Sequence, residues 1–306
     1  MKQLVLFALP ALVGLTLVGC GQSTSSLQSS ATASPPPTGS DQAQVATVLG
    51  QNPDYVNEDL YQDPQLQSYD PSTGFAAIRP LRFWRNITNV QTTFDFDFSA
   101  PDSSGRPTMA VVTIHRHLTG TFNILAGAAD STDTTRSLVH KPLDDHWTRK
   151  IALVRRREPS DAIGGRWRLV GTSGVDVRTE GGVTRVQSLR IQAAALDTTV
   201  TDPLELHRLR RLLFLPAGTE VTLTATTGSA SDVVLFFGHE MRRRFTNNGN
   251  GTFTFHFMTG RFLGLRHFGV DALSHGTLFD DTQPYDSNTW ILPFVVVPEQ
   301  ATIASL

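Results

Sequence analysis

The sequence predicts a mainly β protein built from two β-rich units. Period-two alternation recurs from segment to segment, as in Phe94, Phe96 and Phe98 interleaved with Asp95 and Asp97. That is the pattern of a half-buried strand. Turn clusters separate the segments, among them Pro101-Asp102-Ser103-Ser104-Gly105 and Asn247-Asn248-Gly249-Asn250-Gly251, the latter a strong hairpin signal. Helical periodicity is scarce, and its best short candidates are residues 81–88 and 204–212.

The chain opens differently. Lys2 precedes an apolar run from Leu4 to Val18, interrupted by Pro10, Gly14 and Thr16. About 20 apolar residues are needed to span a bilayer, so the run reads as a secretory signal with a basic start and small residues before a cut. Leu17-Val18-Gly19-Cys20 resembles the lipobox of bacterial lipoproteins, and Cys20 is the single cysteine of the chain. The resemblance covers residues 1–20 and implies a signal peptide over 1–19, a lipidated Cys20, and a protein exported and anchored in a membrane. With Gly21 rather than Asp after the cysteine, it implies the outer membrane or cell surface. More than one acyl chain makes such anchoring stable. The lipid on Cys20 is the expected modification, and no cofactor is expected.

Residues 20–47 are dominated by Ser, Thr, Ala, Gln, Gly and Pro, including Pro35-Pro36-Pro37. A segment with so little to bury is expected to be a disordered tether. Residues 48–79 mix aromatic and acidic side chains and read as an extended lead-in with room for one helical turn. The first β-rich unit is placed at 80–198. Its strands begin with the phenylalanine segment and continue at 108–118, where Ala110, Val112 and Ile114 face one side and Val111, Thr113, His115 and His117 the other. Segments 147–157 and 166–177 pair across a loop, and 183–194 adds a further strand.

The second unit is placed at 203–298, with strands expected at 211–215, 220–226, 233–238, 241–246, 252–258, 264–273 and 290–297. About seven short strands in about 100 residues is the count of an immunoglobulin-type sandwich. Residues 217–226 (AGTEVTLTAT) and 251–257 (GTFTFHF) resemble the Ig-like modules of bacterial surface lipoproteins, without the cysteine pair and enclosed Trp of antibody domains. In the first unit, Trp84-Arg85 and residues 166–177 (RWRLVGTSGVDV) resemble the curved antiparallel sheets of NTF2-like and cystatin-like proteins. A second β-sandwich is the alternative there.

Removal of residues 1–19 from the 306-residue chain leaves about 287, enough for two domains of ordinary size. A net charge of −2 gives no global field that argues for nucleic acid. With Cys20 lipidated no disulfide forms, so folding rests on burial. Lysine occurs only at Lys2, Lys141 and Lys150; Arg forks for anions and a GC-rich genome both account for that skew.

Two constellations could carry chemistry. Asp95 and Asp97, and His115 and His117, each project to one side of a strand because residues i and i+2 share a face. If the strands are hairpin partners, two His and two carboxylates suit a divalent transition metal; a solvent-exposed sheet face carries the same pattern. His140, Asp144, Asp145 and His146 form a second cluster, read as capping the start of the strand at Trp147, with metal binding or acid–base chemistry as the alternatives. Gly171-Thr172-Ser173-Gly174 lacks the last glycine of a nucleophile elbow, and phosphate-loop, dinucleotide and H-E-x-x-H motifs are missing. Arg155-Arg156-Arg157 and Arg242-Arg243-Arg244 read as solvated strand edges or contacts to anionic envelope polymers.

The sequence thus favours a non-enzymatic binding or scaffolding lipoprotein of the cell envelope. Its expected partners are the membrane, through the anchor, and an envelope protein or polysaccharide, with the chain a monomer. The alternative is a metal- or small-ligand-binding first unit, hydrolytic in one version, with the second unit as an accessory module.

Overall fold

The computed structural model describes residues 40–57, 61, 67–68, 77–103, 105–127, 135–156, 165–194, 196–238 and 241–299. The lipobox and the segment up to residue 39 lie outside the described residues. The protein is mainly β, with one strongly curled antiparallel half-barrel sheet and a second sheet.

In chain order the elements are α1 (Asp41–Gly50), α2 (Pro53–Val56), β1 (Gln67–Ser68), β2 (Arg79–Phe98), β3 (Met109–Gly127), β4 (Arg136–Arg156), β5 (Arg166–Thr179), β6 (Val186–Ala193) and β7 (Leu196–Val200). They continue as β8 (His207–Arg208), β9 (Leu213–Pro216), β10 (Glu220–Thr227), β11 (Val233–Gly238), β12 (Met241–Arg244), β13 (Thr246–Asn247), β14 (Thr252–Met258), β15 (Gly264–Leu273), α3 (His275–Phe279) and β16 (Ser287–Val297).

The large sheet runs β1-β2-β3-β4-β5-β16-β15-β11-β12, with β8 on β5 and β9 on β16; the smaller runs β13-β14-β10-β6-β7. Strands β2 to β5 form a long antiparallel meander. The curl has a visible origin in β2, where the register with β3 shifts between Ile87 and Asn89. Gly120 faces that bulge, and a Cβ there would lie 2.0 Å from the Asn86 carbonyl oxygen. Bulges bend and twist a strand, and here the partner strand approaches so closely that only glycine fits.

Two cores result. One fills the concave side of the curled sheet with Val112, Ile114, Leu118, Phe122, Trp147, Ile151 and Val175. The other lies between the sheets, where Leu189, Ile191, Val221, Leu223, Phe253 and Phe255 meet Phe236, Phe268, Val270 and Trp290. Strands β11, β15 and β16 form the wall between them. Along β11, Val233, Leu235 and Phe237 enter the first core while Val234 and Phe236 enter the second. A strand covered on both faces reads as a continuous apolar run, which explains Val233-Val234-Leu235-Phe236-Phe237. The second core is a two-sheet sandwich, and it draws β6 and β7 from residues ahead of position 203.

The strands expected between 220 and 297 lie at or within a few residues of the observed ones. The asparagine–glycine cluster turns β13 into β14, with Gly249 and Gly251 at φ of 82° and 79°. The segment 241–246 divides: β12 extends the large sheet, Phe245 is buried, and β13 joins the small one.

Three expectations give way. Residues 81–88 are strand, because Phe83 and Arg85 point into the core at period two. Around 204–212 only β8 and a single 3-10 turn at Leu209–Arg211 form. Residues 41–47, compositionally part of the tether, begin α1. Ser40 caps it by accepting from the Ala43 amide at 3.1 Å, Val45 and Leu49 are buried, and Asp41 pairs with Arg155. That pairing turns Arg155 inward over the Trp167 ring, 4.8 Å from its centroid, so it is not part of a solvated edge. Arg157 lies outside the described residues.

Candidate functional site

Strand β4 carries Asp144, Asp145 and His146 in succession, and alternation sends the first and third to one face and the second to the other. Thr179 and Glu180, on neighbouring β5 and just past its end, divide in the same way. Two groups of polar side chains therefore sit back to back across one patch of sheet.

On the inner face is a buried ionic cluster. The Arg85 guanidinium on β2 donates from both terminal nitrogens to Asp271 on β15, at 2.8 and 2.9 Å. Its Nε donates to the Tyr285 hydroxyl at 2.8 Å. Asp145 accepts from Tyr61 at 2.5 Å, Thr179 at 2.8 Å and Tyr285 at 3.2 Å. The Thr289 hydroxyl donates to Asp271 at 2.7 Å. The Tyr61 ring lies under the guanidinium, 4.6 Å from its carbon. Asp145 and Asp271 have no exposed surface, and Arg85, Tyr61 and Tyr285 are almost as deeply buried.

This arrangement contains one cation and two carboxylates, and the imbalance falls on Asp145. Burial pushes its carboxyl above the usual range, against the opposing influence of Arg85 and the hydroxyls of Tyr61, Thr179 and Tyr285. Burial likewise raises both tyrosine hydroxyls, so they act as donors across the physiological range. Burial disfavours the charge on Arg85, but Asp271, Tyr285 and Tyr61 together outweigh it and hold the guanidinium charged. The cluster joins Tyr61 to β2, β4, β5, β15 and β16, and so fastens parts far apart in the chain to one another.

On the outer face His117 and His146 are directly opposed in the β3–β4 register. Their imidazoles stack with centroids 4.8 Å apart and planes 7° from parallel. His117 Nε2 is 2.6 Å from Asp144 Oδ1, and His146 Nε2 is 3.9 Å from the same oxygen and 3.1 Å from Glu180 Oε2. The Glu180 amide donates to the Asp144 carbonyl at 2.8 Å, which locks the two carboxylate-bearing backbones together.

The four residues singled out in the sequence do not all converge. Strands β2 and β3 are hairpin partners, and the register sets Asp95 diagonally from His115, with His115 Nε2 at 3.2 Å from Asp95 Oδ2. Asp97 is exposed opposite Val111. His117 turns instead to Asp144 and His146, which come from the second cluster. Those two lie in mid-strand, because β4 begins at Arg136 and not near Trp147. His140 bonds Asn123 at 2.6 Å, and Asp145 faces the core. Arg85, Asp271, Tyr61 and Tyr285 carried no signal of partnership, because their pairings span up to 224 positions.

No protein-family model matches the chain, and no curated protein or solved structure does so either.

Proposed function

We propose that this is an exported lipoprotein, held on a cell-envelope membrane through lipid on Cys20, whose β-rich body binds or scaffolds an envelope partner without catalysing a reaction. The observation that carries the reading is the lipobox Leu17-Val18-Gly19-Cys20. The first described helix, capped by Ser40 and tied to the sheet through Asp41 and Arg155, stands twenty positions after its cysteine. The intervening residues are small and polar, and at no more than about 3.3–3.6 Å each they keep that helix within about 70 Å of the bilayer. An anchor so close to a fixed attachment point displays the body near the membrane surface.

The interior supports a rigid body. The carboxylates, guanidinium and hydroxyls of the inner-face cluster hydrogen-bond to one another, deep in the core. Such a network rigidifies and specifies a packing arrangement. A rigid body of two cores sharing one wall suits presentation of an outer surface to a protein or polysaccharide.

The test is expression of the full chain in a bacterium with a clickable fatty acid. The native chain is expected to carry label and sediment with membranes. Cys20→Ala is expected to be unlabelled and soluble, with unchanged unfolding temperature. A Cys20→Ala chain that remained membrane-bound would overturn the reading.

A further inference from the structure

We propose that His117, Asp144, His146 and Glu180 form a binding site for a divalent late first-row transition metal, of the zinc or copper class, on the outer face of the curled sheet. This goes beyond the anchored binding role and does not depend on it.

The donor atoms of His117, Asp144 and His146 lie within 4.8 Å of one another. A tetrahedral ion with bonds of about 2.0–2.2 Å needs donors separated by about 3.3 Å. The separations of 2.6 Å for His117–Asp144, 3.9 Å for His146–Asp144 and 3.1 Å for His146–Glu180 bracket that value. Two imidazoles on directly opposed strand positions and two carboxylates on hydrogen-bonded backbones form a fixed base for such a shell.

The chemistry of the donors selects the ion. Two neutral imidazole nitrogens favour zinc, copper, nickel or cobalt, whereas calcium and magnesium prefer shells of oxygen. Two carboxylates balance a dication. The competing reading is a row of surface ion pairs, each worth little. Direct opposition in the register accounts for the stacking of the imidazoles, and a metal site adds the convergence of both on one carboxylate oxygen. The site is open, with side chains between 38% and 69% exposed, so an ion reaches it without any opening of the fold.

The experiment uses the full chain in detergent, with Cys20→Ala alongside so that thiol coordination is recognised. Zinc is titrated calorimetrically, and cobalt is followed by its visible d–d absorption as a probe of coordination geometry. One ion per chain is expected, together with a rise in unfolding temperature. His117→Ala with His146→Ala should abolish binding, and the isosteric Asp144→Asn and Glu180→Gln should each weaken it about tenfold or more. His256→Ala, at an exposed histidine on β14, should leave binding unchanged. Circular dichroism checks the fold of each variant, and the two isosteric changes keep the test valid if the double alanine variant unfolds. Absence of zinc binding by the native chain would overturn the proposal, as would stoichiometric binding that survives the double variant or both isosteric ones. Neither outcome bears on the lipid anchor, which is read by membrane partitioning.

Discussion

Replacing Arg85 by Leu tests whether the buried ionic cluster holds the two halves of the protein together. The guanidinium makes two short bonds to Asp271 and one to Tyr285. Truncation leaves the Asp271 carboxylate with no exposed surface and the Thr289 hydroxyl as its remaining described donor. Breaking a buried pair from one side costs about 3–5 kcal/mol, because the surviving charge stays desolvated. Against a total of about 5–15 kcal/mol for a typical domain, that is a large loss. Urea unfolding followed through the four tryptophans should show a lower midpoint for Arg85→Leu at unchanged slope. Arg85→Leu combined with Asp271→Leu removes both charges and should recover much of the loss, since apolar replacement of a buried pair is often neutral or better. The reasoning is refuted if the single variant loses less than about 1 kcal/mol. It is equally refuted if the double variant is no more stable than the single, since packing rather than an orphaned charge would then explain the effect.

Asp145→Asn keeps the shape of the cluster and removes the surplus carboxylate. The folded Asp145 has its pKa raised above the unfolded value, so the folded state retains a proton that the unfolded chain releases. Its contribution to stability is therefore intact at acid pH and falls as pH rises from about 4, the unfolded carboxylate value, through the folded pKa. Denaturant unfolding at several pH values should show Asp145→Asn gaining on the native chain across that window and levelling above it; a constant difference would contradict the assignment. Gly120→Ala places a Cβ 2.0 Å from the Asn86 carbonyl and should cost about 1–3 kcal/mol by overpacking the bulge, readable as a lower unfolding temperature. An unchanged temperature would mean that the bulge yields freely.

Much of the strand map was legible because period-two alternation is a local property. Phe94 to Phe98, residues 252–258 and the hairpin at Asn247–Gly251 need no distant partner to be recognised. The early part of β4 was less legible, because Lys141 and Asp145 occupy inward positions where an apolar residue would have completed the alternation with Leu143 and Trp147. Lys141 is satisfied there by the carbonyls of Gly276 and Asp280, at 2.9 and 2.6 Å, and Asp145 by three hydroxyls. Their partners lie more than 80 positions away for all but Thr179, so nothing local announces that they are buried.

The sequence by itself determined the mainly β character and the positions of most strands after residue 94. Tertiary structure alone decided that β11, β15 and β16 wall two cores at once, that Arg85 meets Asp271, and that His117 joins His146 and Asp144 while Asp97 stands apart. The reason is register. Alternation fixes which residues share a face of one strand, but a shift of a single position between neighbours exchanges every facing pair. That register is set by the packing of both cores together, which no single segment of the chain encodes.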